Sequence, residues 1–398
     1  MVGAGSDSLI DVRIASVGER PGASWAEGLR VRLPAALLDR DPWRGALGSD
    51  GDIEIPAGPT SVSDDDVVWL RERRAFTERR PASARLPFSY RLVPGWARTL
   101  VASAIGRTNR SRAHKWAAFP GWPIDLSTDL LDDLRDTAST ATSERPAPVL
   151  VTHDIDSPEG LTSLIANFLP LEEAAGARST NYVVPCAWRV DHALLAELIA
   201  RGHEVGVHGY DHSNTTPFAT AEERARRLDG VRGFAERYAA TGYRAPSLLR
   251  TRPLLRDLSG RFRYDSSIPT SGWLFPTPNN GCASARPFVV EDIVEMPVSL
   301  PRDGSLRFLG HSPGEILAMW IECADLVARA RGVVILLTHC ERRFSGNAPM
   351  LDAYRRFLDY VRDRPDRFAF STPDGVLDAA SLRPPGSGSN AGARARVS

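Results

Sequence analysis

The feature that most constrains the fold is a repeated order of apolar strand, polar turn and amphipathic helix, which begins at Pro148 and continues to about residue 380. Strands that alternate with helices of this length need crossover connections, so the sheet between them is parallel. Periodicity alone leaves two arrangements open, a doubly wound sheet and a closed barrel. The predicted strands are 149–152, 180–184, 204–207, 242–245, 262–266, 293–299, 333–338 and 368–371. The predicted helices are 161–175, 191–201, 221–240, 253–260, 313–331 and 349–362.

The chain before this repeat has a weaker pattern. Two strand-like fragments and one helical pattern occur there, at 9–17, 29–33 and 67–78. The Ser/Thr/Ala/Pro-rich segment 137–148 is typical of a linker. We therefore expect an N-terminal α+β extension at 1–140, packed on a catalytic domain at 141–381. Residues 382–398 are rich in Pro, Gly, Ser, Ala and Arg and are predicted to form a disordered tail.

One segment of the extension, residues 96–112, has two interpretations. It places Leu100, Val101 and Ile105 at helical spacing among four arginines, a pattern that can lie on a membrane surface. Because its apolar face is short, a helix packed on the main domain is favoured, and peripheral membrane contact stays open. The chain has no run of about 18 apolar residues for a transmembrane helix, and its first 25 residues lack the apolar region of a secretory signal. A cytoplasmic location is the default expectation.

Composition excludes some classes of function. The 49 basic residues balance 49 acidic residues, so the whole chain has no general attraction for nucleic acid. The four cysteines are widely spaced and form no Cys-x-x-Cys pair, which argues against a zinc ribbon or a redox motif. The partner has to be inferred from a local site.

Two pairs of residues with metal-binding chemistry follow predicted strands. Asp154 and Asp156 come directly after the first strand of the repeat, before a Ser-Pro turn. For an isolated Asp-x-Asp pair the ordinary interpretation is that it caps the next helix. His208 and His212 follow the third strand, and in helical geometry both imidazoles would lie on one face and could bind one metal ion.

Two further segments end at the same predicted edge of the sheet. Arg244 and Pro246 follow one strand, and His339 ends the most apolar strand of the chain. The carboxyl ends of parallel strands meet at one edge, where α/β folds keep their active sites. Each signal is weak alone, but their joint occurrence in this order favours a catalytic site over four unrelated turns.

These segments together resemble the polysaccharide deacetylase family, also called the NodB-homology or carbohydrate esterase family 4 group, in its divergent Asp-x-Asp branch. The resemblance covers residues 148–380 and includes four motifs in the family's order. It implies a distorted (β/α) TIM-like barrel and a hydrolase that removes acyl groups from N-acetylated sugars. It also implies one divalent metal ion, with Zn²⁺ as the first choice.

The resemblance assigns a role to each site residue. Asp154 is expected to be the catalytic base and His339 the catalytic acid, with Arg244 orienting the base. The expected metal ligands are Asp156, His208 and His212.

Three other residues concern the substrate pocket. Ser247 follows the Arg-x-Pro motif where the family has an aromatic residue, and its backbone N–H could stabilise the oxyanion. His153 replaces a bulky apolar residue, so we expect a different acceptor pocket. Asp265 lies in a Tyr-Asp-Ser-Ser stretch common in the family and is a candidate pocket residue.

The leading functional hypothesis is metal-dependent hydrolysis of a carbon–nitrogen bond, with N-deacetylation of an amino sugar or sugar intermediate in cell-surface glycan metabolism. The expected partner is therefore an N-acylated sugar or glycan intermediate. A deformylase or a cyclic-amide hydrolase on the same scaffold is the second hypothesis. A non-catalytic protein that binds glycan is the third. The sequence leaves the sugar, the acyl group and the oligomeric state open.

Overall fold

The structure is a computed structural model that describes residues 8–85, 93–113, 124–135, 145–271 and 281–380. The predicted tail and most of the predicted linker lie outside these ranges. The strands are β1 (Leu9–Ser16), β2 (Arg30–Pro34), β3 (Asp52–Glu54), β4 (Ala147–Ile155), β5 (Ser179–Val183), β6 (Glu204–Val207), β7 (Gly242–Tyr243), β8 (Tyr264–Asp265), β9 (Phe288–Val290), β10 (Ile293–Glu295), β11 (Val334–His339) and β12 (Phe368–Phe370).

Helices occupy both the N-terminal region and the crossovers between the later strands. In the N-terminal region they are α1 (Ala35–Leu38), α2 (Asp64–Glu72), α3 (Ala82–Arg85), α4 (Gly95–Ala113) and α5 (Ser127–Arg135). In the rest of the chain they are α6 (Pro158–Ser163), α7 (Leu169–Ala175), α8 (His192–Ala200), α9 (Ala221–Gly230), α10 (Arg232–Arg237), α11 (Arg252–Leu258), α12 (Asp303–Phe308), α13 (Pro313–Arg329), α14 (Ala348–Arg362) and α15 (Pro373–Ala380). No helix among the described residues is long and apolar enough to cross a membrane.

The later strands form one curled sheet in the order β11-β4-β5-β6-β7-β8-β10-β9, with β12 also paired to β4. All neighbours are parallel except β9 and β10. An irregular segment after β10 bridges to β11: the Ser299 hydroxyl accepts from the Ile335 N–H at 2.8 Å and donates to the Val333 carbonyl at 2.8 Å. The predicted distorted barrel is confirmed, and its distortion lies at this side-chain bridge.

Alternate residues of β4 face the interior and the surrounding helices, as the two-residue period of a strand requires. Leu150 packs inside the barrel with Tyr182 and Tyr264, whose hydroxyls lie 3.1 Å apart. Leu377 of α15 joins the same cluster. Because large side chains fill the barrel there, the polar residues of β4 are left at its carboxyl end.

The N-terminal region forms a three-stranded sheet of order β2-β1-β3, and α5 connects it to the barrel. The Asp129 carboxylate accepts from the Ser284 hydroxyl at 2.5 Å and the Ala285 N–H at 2.8 Å. Asp133 pairs with Arg286 at 2.8 Å and with Arg331 at 2.6 Å. These buried polar contacts hold the region against the barrel.

Several elements differ from the predicted ones. The predicted helix 221–240 is two helices, α9 and α10, which break where Gly230 and Gly233 lower helix propensity. The predicted helix 161–175 contains a π-helical turn at Leu164–Phe168. The sequence pattern did not predict α12, a six-residue helix that contributes to the site described next.

Candidate metal and catalytic centre

The turn after β4 presents two aspartates because a different residue caps the following helix. The Ser157 hydroxyl accepts from the Gly160 N–H at 3.1 Å, and Pro158 occupies the first helical position of α6. Ser157 is therefore the N-cap, and the capping interpretation of Asp154 and Asp156 does not describe this structure. Both carboxylates remain available at the barrel end.

Asp156, His208 and His212 converge on one point. The Asp156 Oδ1 lies 3.5 Å from the His208 Nε2 and 3.3 Å from the His212 Nε2. Two ligands of a tetrahedral Zn²⁺ ion, each about 2.0–2.1 Å from the metal, are roughly 3.4 Å apart. The three atoms therefore have the spacing of ligands that share one ion.

The bonding of His208 supports the same conclusion. Its Nδ1 lies 3.0 Å from the Arg244 carbonyl oxygen, which can only accept, so in the neutral imidazole that metal binding requires, Nδ1 carries the proton and Nε2 presents a lone pair. Within the described part of the chain, this Nε2 and the Asp156 Oδ1 are buried and make no hydrogen bond. Two buried lone pairs that face each other are costly unless a cation lies between them. The site therefore fits a divalent metal ion with one carboxylate and two imidazole ligands.

The histidine segment reaches this geometry without forming the helical turn that the four-residue spacing would suit. Residues 208–213 form an irregular bend, in which Gly209 has φ +66° and His212 has φ +57°. An added Cβ at Gly209 would lie 2.5 Å from the Pro246 ring. Glycine at this position therefore permits both the left-handed backbone and the contact with the Arg-x-Pro segment.

Asp154 lies beside the three ligands and is held by Arg244. The Arg244 Nη1 donates to the Asp154 Oδ1 at 3.1 Å and to the Thr152 hydroxyl at 3.0 Å. Burial raises the pKa of Asp154, but the charges of His208 and Arg244 outweigh it and hold this pKa below its usual value. Asp154 is thus an ionised carboxylate next to the ligand cluster.

Arg244 is fully buried, and contacts with Tyr182 and Ser266 fix the orientation of its guanidinium. Its guanidinium lies 4.0 Å from the Tyr182 ring centroid. Its Nε donates to the Ser266 carbonyl and its Nη2 to the Ser266 hydroxyl, both at 3.0 Å. These contacts leave Nη1 directed at Asp154, as expected for a residue that orients the base.

His339 pairs in register with Asp154 across β11 and β4. Its Nδ1 lies 2.8 Å from the Asp303 Oδ1, and its backbone N–H donates to the Asp303 Oδ2 at 2.8 Å. Burial lowers the pKa of His339, but the Asp303 charge overcomes that effect and raises this pKa to about 9. The imidazole is therefore protonated at neutral pH, and Nε2 is the atom left for a substrate.

Asp303 is a site residue that the sequence pattern missed. It begins α12, and the Ser345 hydroxyl donates to its Oδ2 at 2.7 Å. Burial raises the pKa of Asp303, and His339 more than offsets that effect, so this pKa stays below its usual value. The only local signal was an Asp-Gly-Ser stretch in a segment without strand or helix periodicity.

Glu341 was also missed. Its Oε1 accepts from the Ser157 hydroxyl at 2.7 Å, and its Oε2 is buried without a hydrogen bond among the described residues. Burial, followed by the negative charge of Asp156, raises the pKa of Glu341 to about 7. A carboxyl group that titrates near neutral pH therefore lies beside the ligand cluster.

Two of the predicted pocket residues, Asp265 and Ser247, lie close to the Arg-x-Pro segment. Asp265 is fully buried and accepts from the Ser267 hydroxyl at 2.7 Å, which itself accepts from the Ala245 N–H at 2.8 Å. It thus braces the backbone beside Arg244. Ser247 has φ +56° in the turn after Pro246, and its oxyanion role stays a prediction.

His153 does not face the pocket, contrary to the sequence interpretation. Its side chain lies in the helix layer, where Nε2 is 2.8 Å from the Glu172 Oε1 and Nδ1 is 2.8 Å from the Thr338 hydroxyl. The Tyr354 hydroxyl donates to the same Glu172 oxygen at 2.8 Å. Because successive strand residues face opposite sides, a residue next to Asp154 points away from the site.

No protein-family model and no curated protein sequence matches the chain. Solved structures do match. A candidate polysaccharide deacetylase of Mycobacterium smegmatis is 20% identical over 62% of this chain and 94% of its own, with a TM-score of 0.48. An allantoinase is 15% identical over 60% and 91%, with a TM-score of 0.44. A family 4 acetyl xylan esterase of Clostridium thermocellum, solved with a cobalt ion, is 16% identical over 59% and 92%, with a TM-score of 0.39.

The chain is similar to these solved structures, each with a TM-score below 0.5. At this level of identity the similarity concerns the fold alone. The chemistry is therefore argued from the ligand cluster and the two groups beside it.

Proposed function

We propose that this protein is a metal-dependent hydrolase of an amide bond that N-deacetylates an amino sugar. The observation that carries the proposal is the pairing of Asp154 and His339 on neighbouring strands beside the ligand cluster. The pKa of Asp154 is lowered and that of His339 is raised to about 9. At neutral pH one group can therefore accept a proton while the other can donate one.

The residues of the chain divide the reaction between them. A Zn²⁺ ion held by Asp156, His208 and His212 would polarise the acyl carbonyl and acidify water. Asp154 takes the proton of the attacking water, and Arg244 keeps the carboxylate ionised and oriented.

His339 acts on the leaving group. An amine is a poor leaving group until it is protonated, and an imidazolium held by Asp303 can supply that proton. Ester hydrolysis makes less demand on such an acid, because an alkoxide leaves more readily than an amide anion. The hydrogen bond that holds His339 to Asp303 therefore suits the departure of an amine.

The sugar part of the proposal rests on the four-motif resemblance, in which the same residues serve sugar N-deacetylation. A deformylase and a cyclic-amide hydrolase would use the same base, acid and ligands. A non-catalytic glycan-binding protein would not need all of them, and this chain retains Asp154, His339 and Asp303 in bonded, charged positions.

A metal analysis combined with an acyl-release screen tests the proposal. Purified protein should contain one divalent ion per chain and release acetate from at least one N-acetylated amino sugar. His208→Ala should lose both the ion and the activity, because it removes a ligand. Asp154→Asn should keep the ion and lose activity by about 10²–10⁴-fold, the usual contribution of a general base.

His311→Ala is the matched control: the His311 ring faces Glu315, 3.9 Å away, so this variant should retain both ion and activity. Release of formate alone would identify a deformylase instead. A protein that contains no stoichiometric divalent ion, or binds one but leaves every acylated sugar and cyclic amide intact, would contradict the proposal.

A further inference from the structure

Helix α4 packs on the barrel through contact with α12. An ideal Cβ at Gly106 would lie 2.0 Å from the Phe308 carbonyl oxygen, so the backbones of α4 and α12 touch at this point. Gly106 is buried. The glycine therefore sets the packed face of α4 and fixes the direction of the opposite face.

The opposite face of α4 is apolar and exposed. Leu100, Val101 and Ile105 are 64%, 55% and 42% exposed. At about 100° per residue they span an arc of roughly 140°, whose centre lies roughly 170° from Gly106. Within the described part of the chain the other exposed large apolar residues are scattered, at Leu47, Val68 and Ile199. The α4 face is therefore a patch, and single exposed residues elsewhere are ordinary surface.

Charge distinguishes this segment from the rest of the protein. The whole chain has no net charge, yet residues 79–124 contain no Asp or Glu. The same segment contains nine basic residues, Arg79, Arg80, Arg85, Arg91, Arg98, Arg107, Arg110, Arg112 and Lys115. Arg107, on α4 itself, is exposed. An apolar helix face within a purely basic segment is typical of binding at an anionic lipid surface.

We propose that the exposed face of α4 docks this protein on the surface of an anionic lipid bilayer. A second copy of the chain fits the surface less well, because two purely basic segments would repel each other. Nucleic acid would pair with the charges but would not bury Leu100, Val101 and Ile105. A bilayer offers both an anionic surface and an apolar layer below it.

The docking face lies close to the catalytic acid. Helix α12 begins at Asp303, which holds His339, and ends at Phe308, which contacts α4. Six helical residues span about 9 Å. The Phe308 ring also packs edge-on against Phe344 at 5.9 Å, and Phe344 lies 4.8 Å from the His339 ring. Docking through α4 would therefore place the catalytic end of the barrel near the lipid surface.

Flotation of the full chain with lipid vesicles tests the proposal. The protein should float with vesicles of phosphatidylcholine and phosphatidylglycerol, and much less with phosphatidylcholine alone. High salt should weaken this binding, because screening reduces the attraction between arginines and lipid phosphates. The triple variant Leu100→Gln/Val101→Gln/Ile105→Gln should lower the vesicle partition coefficient at least about tenfold, since three apolar side chains no longer enter the lipid.

The matched control is Val68→Gln/Ile199→Gln, which removes similarly exposed apolar side chains away from α4 and should leave flotation unchanged. Circular dichroism should show that both variants stay folded, because all the substituted residues are exposed. Failure of the wild type to float with anionic vesicles would overturn the proposal. Flotation of the triple variant to the same extent as the wild type would also overturn it. So would a dimer or a nucleic-acid complex that the triple variant loses, if the wild type shows no vesicle binding.

Discussion

The replacement Asp303→Asn tests whether Asp303 keeps the catalytic acid charged. It preserves the shape of a buried side chain that binds the His339 Nδ1 and backbone N–H and the Ser345 hydroxyl. It removes the negative charge and replaces one acceptor oxygen with an NH₂ group, which cannot accept a hydrogen bond. The variant should therefore fold, at a cost of about 1–3 kcal/mol for the unsatisfied donors.

The expected effect on His339 is large. Burial lowers the pKa of His339, and Asp303, followed by Asp154 and Asp156, raises it from the ordinary 6.5 to about 9, a net shift equivalent to roughly 3 kcal/mol. Without the Asp303 charge only the two other aspartates oppose the effect of burial, so the pKa of His339 should fall well below 9.

The pH dependence of the free energy of unfolding should also differ between the wild type and the variant. Since folding raises the pKa of His339, the charged imidazole stabilises the folded state below pH 6.5, and this contribution is lost as pH rises through about 9. The wild type should therefore lose stability relative to the variant over that pH interval. Urea unfolding across the interval measures the difference.

The direct assay is an NMR titration of the His339 ring in metal-free protein, because a bound cation would itself lower this pKa. The His339→Gln variant assigns the signal by its disappearance. Ser345→Ala is the matched control: it removes one hydrogen bond to Asp303 but no charge, and the pKa should stay near 9. A pKa in Asp303→Asn that also stays near 9 would refute the proposed role of Asp303.

Two further predictions concern the supports of the site. Gly209→Ala should destabilise the fold by about 1–3 kcal/mol and weaken metal binding, because Gly209 has φ +66° and an added Cβ would collide with Pro246. The control Gly233→Ala places its Cβ in open space and should be neutral or stabilising. Urea unfolding and metal titration compare the two variants. Glu172→Gln should cost about 1–3 kcal/mol in urea unfolding at neutral pH, because it removes the carboxylate charge from a buried contact with His153 and the Tyr354 hydroxyl. Burial raises the pKa of Glu172 but His153 holds it below 4.5, so this cost should shrink as acid protonates the wild type; an unchanged cost would contradict the assignment.

The sequence predicted the inner site residues because each follows an apolar strand of a parallel sheet. Asp154, Asp156, His208, Arg244 and the other strand-end residues meet at one edge once the strands are aligned. The in-register pairing of β4 and β11 then brings Asp154 next to His339, the proposed acid. Alternation along the strand also explains the wrong interpretation of His153, which is adjacent in sequence and opposite in space.

The local backbone of the histidine pair could not be read from spacing. A separation of four residues suits one helical turn, but the same residues converge through positive φ at Gly209 and His212. The useful signal was Gly209 itself, where a side chain would collide with Pro246. That contact joins two distant motifs, so it becomes visible only when the strands are placed.

The sequence also did not predict Asp303, because its place in the site depends on how distant segments pack. It lies 36 residues before its partner His339, in a short helix with neither strand nor helix periodicity around it. Its position is set by the irregular segment that bridges β10 to β11. A residue whose placement depends on the distorted part of a barrel leaves no periodic pattern in the sequence.

Arg244 and Asp303 lie on different elements, and this separation explains how the proposed base Asp154 and the proposed acid His339 can both stay charged. Asp154 and His339 are neighbours on adjacent strands, and a proton shared between them would neutralise both. Arg244, from the barrel interior, holds the carboxylate ionised. Asp303, from the bridging segment, holds the imidazole protonated. Because each group has its own buried counter-charge on a different element, the proton stays on His339, which in the proposed reaction would pass it to the leaving amine.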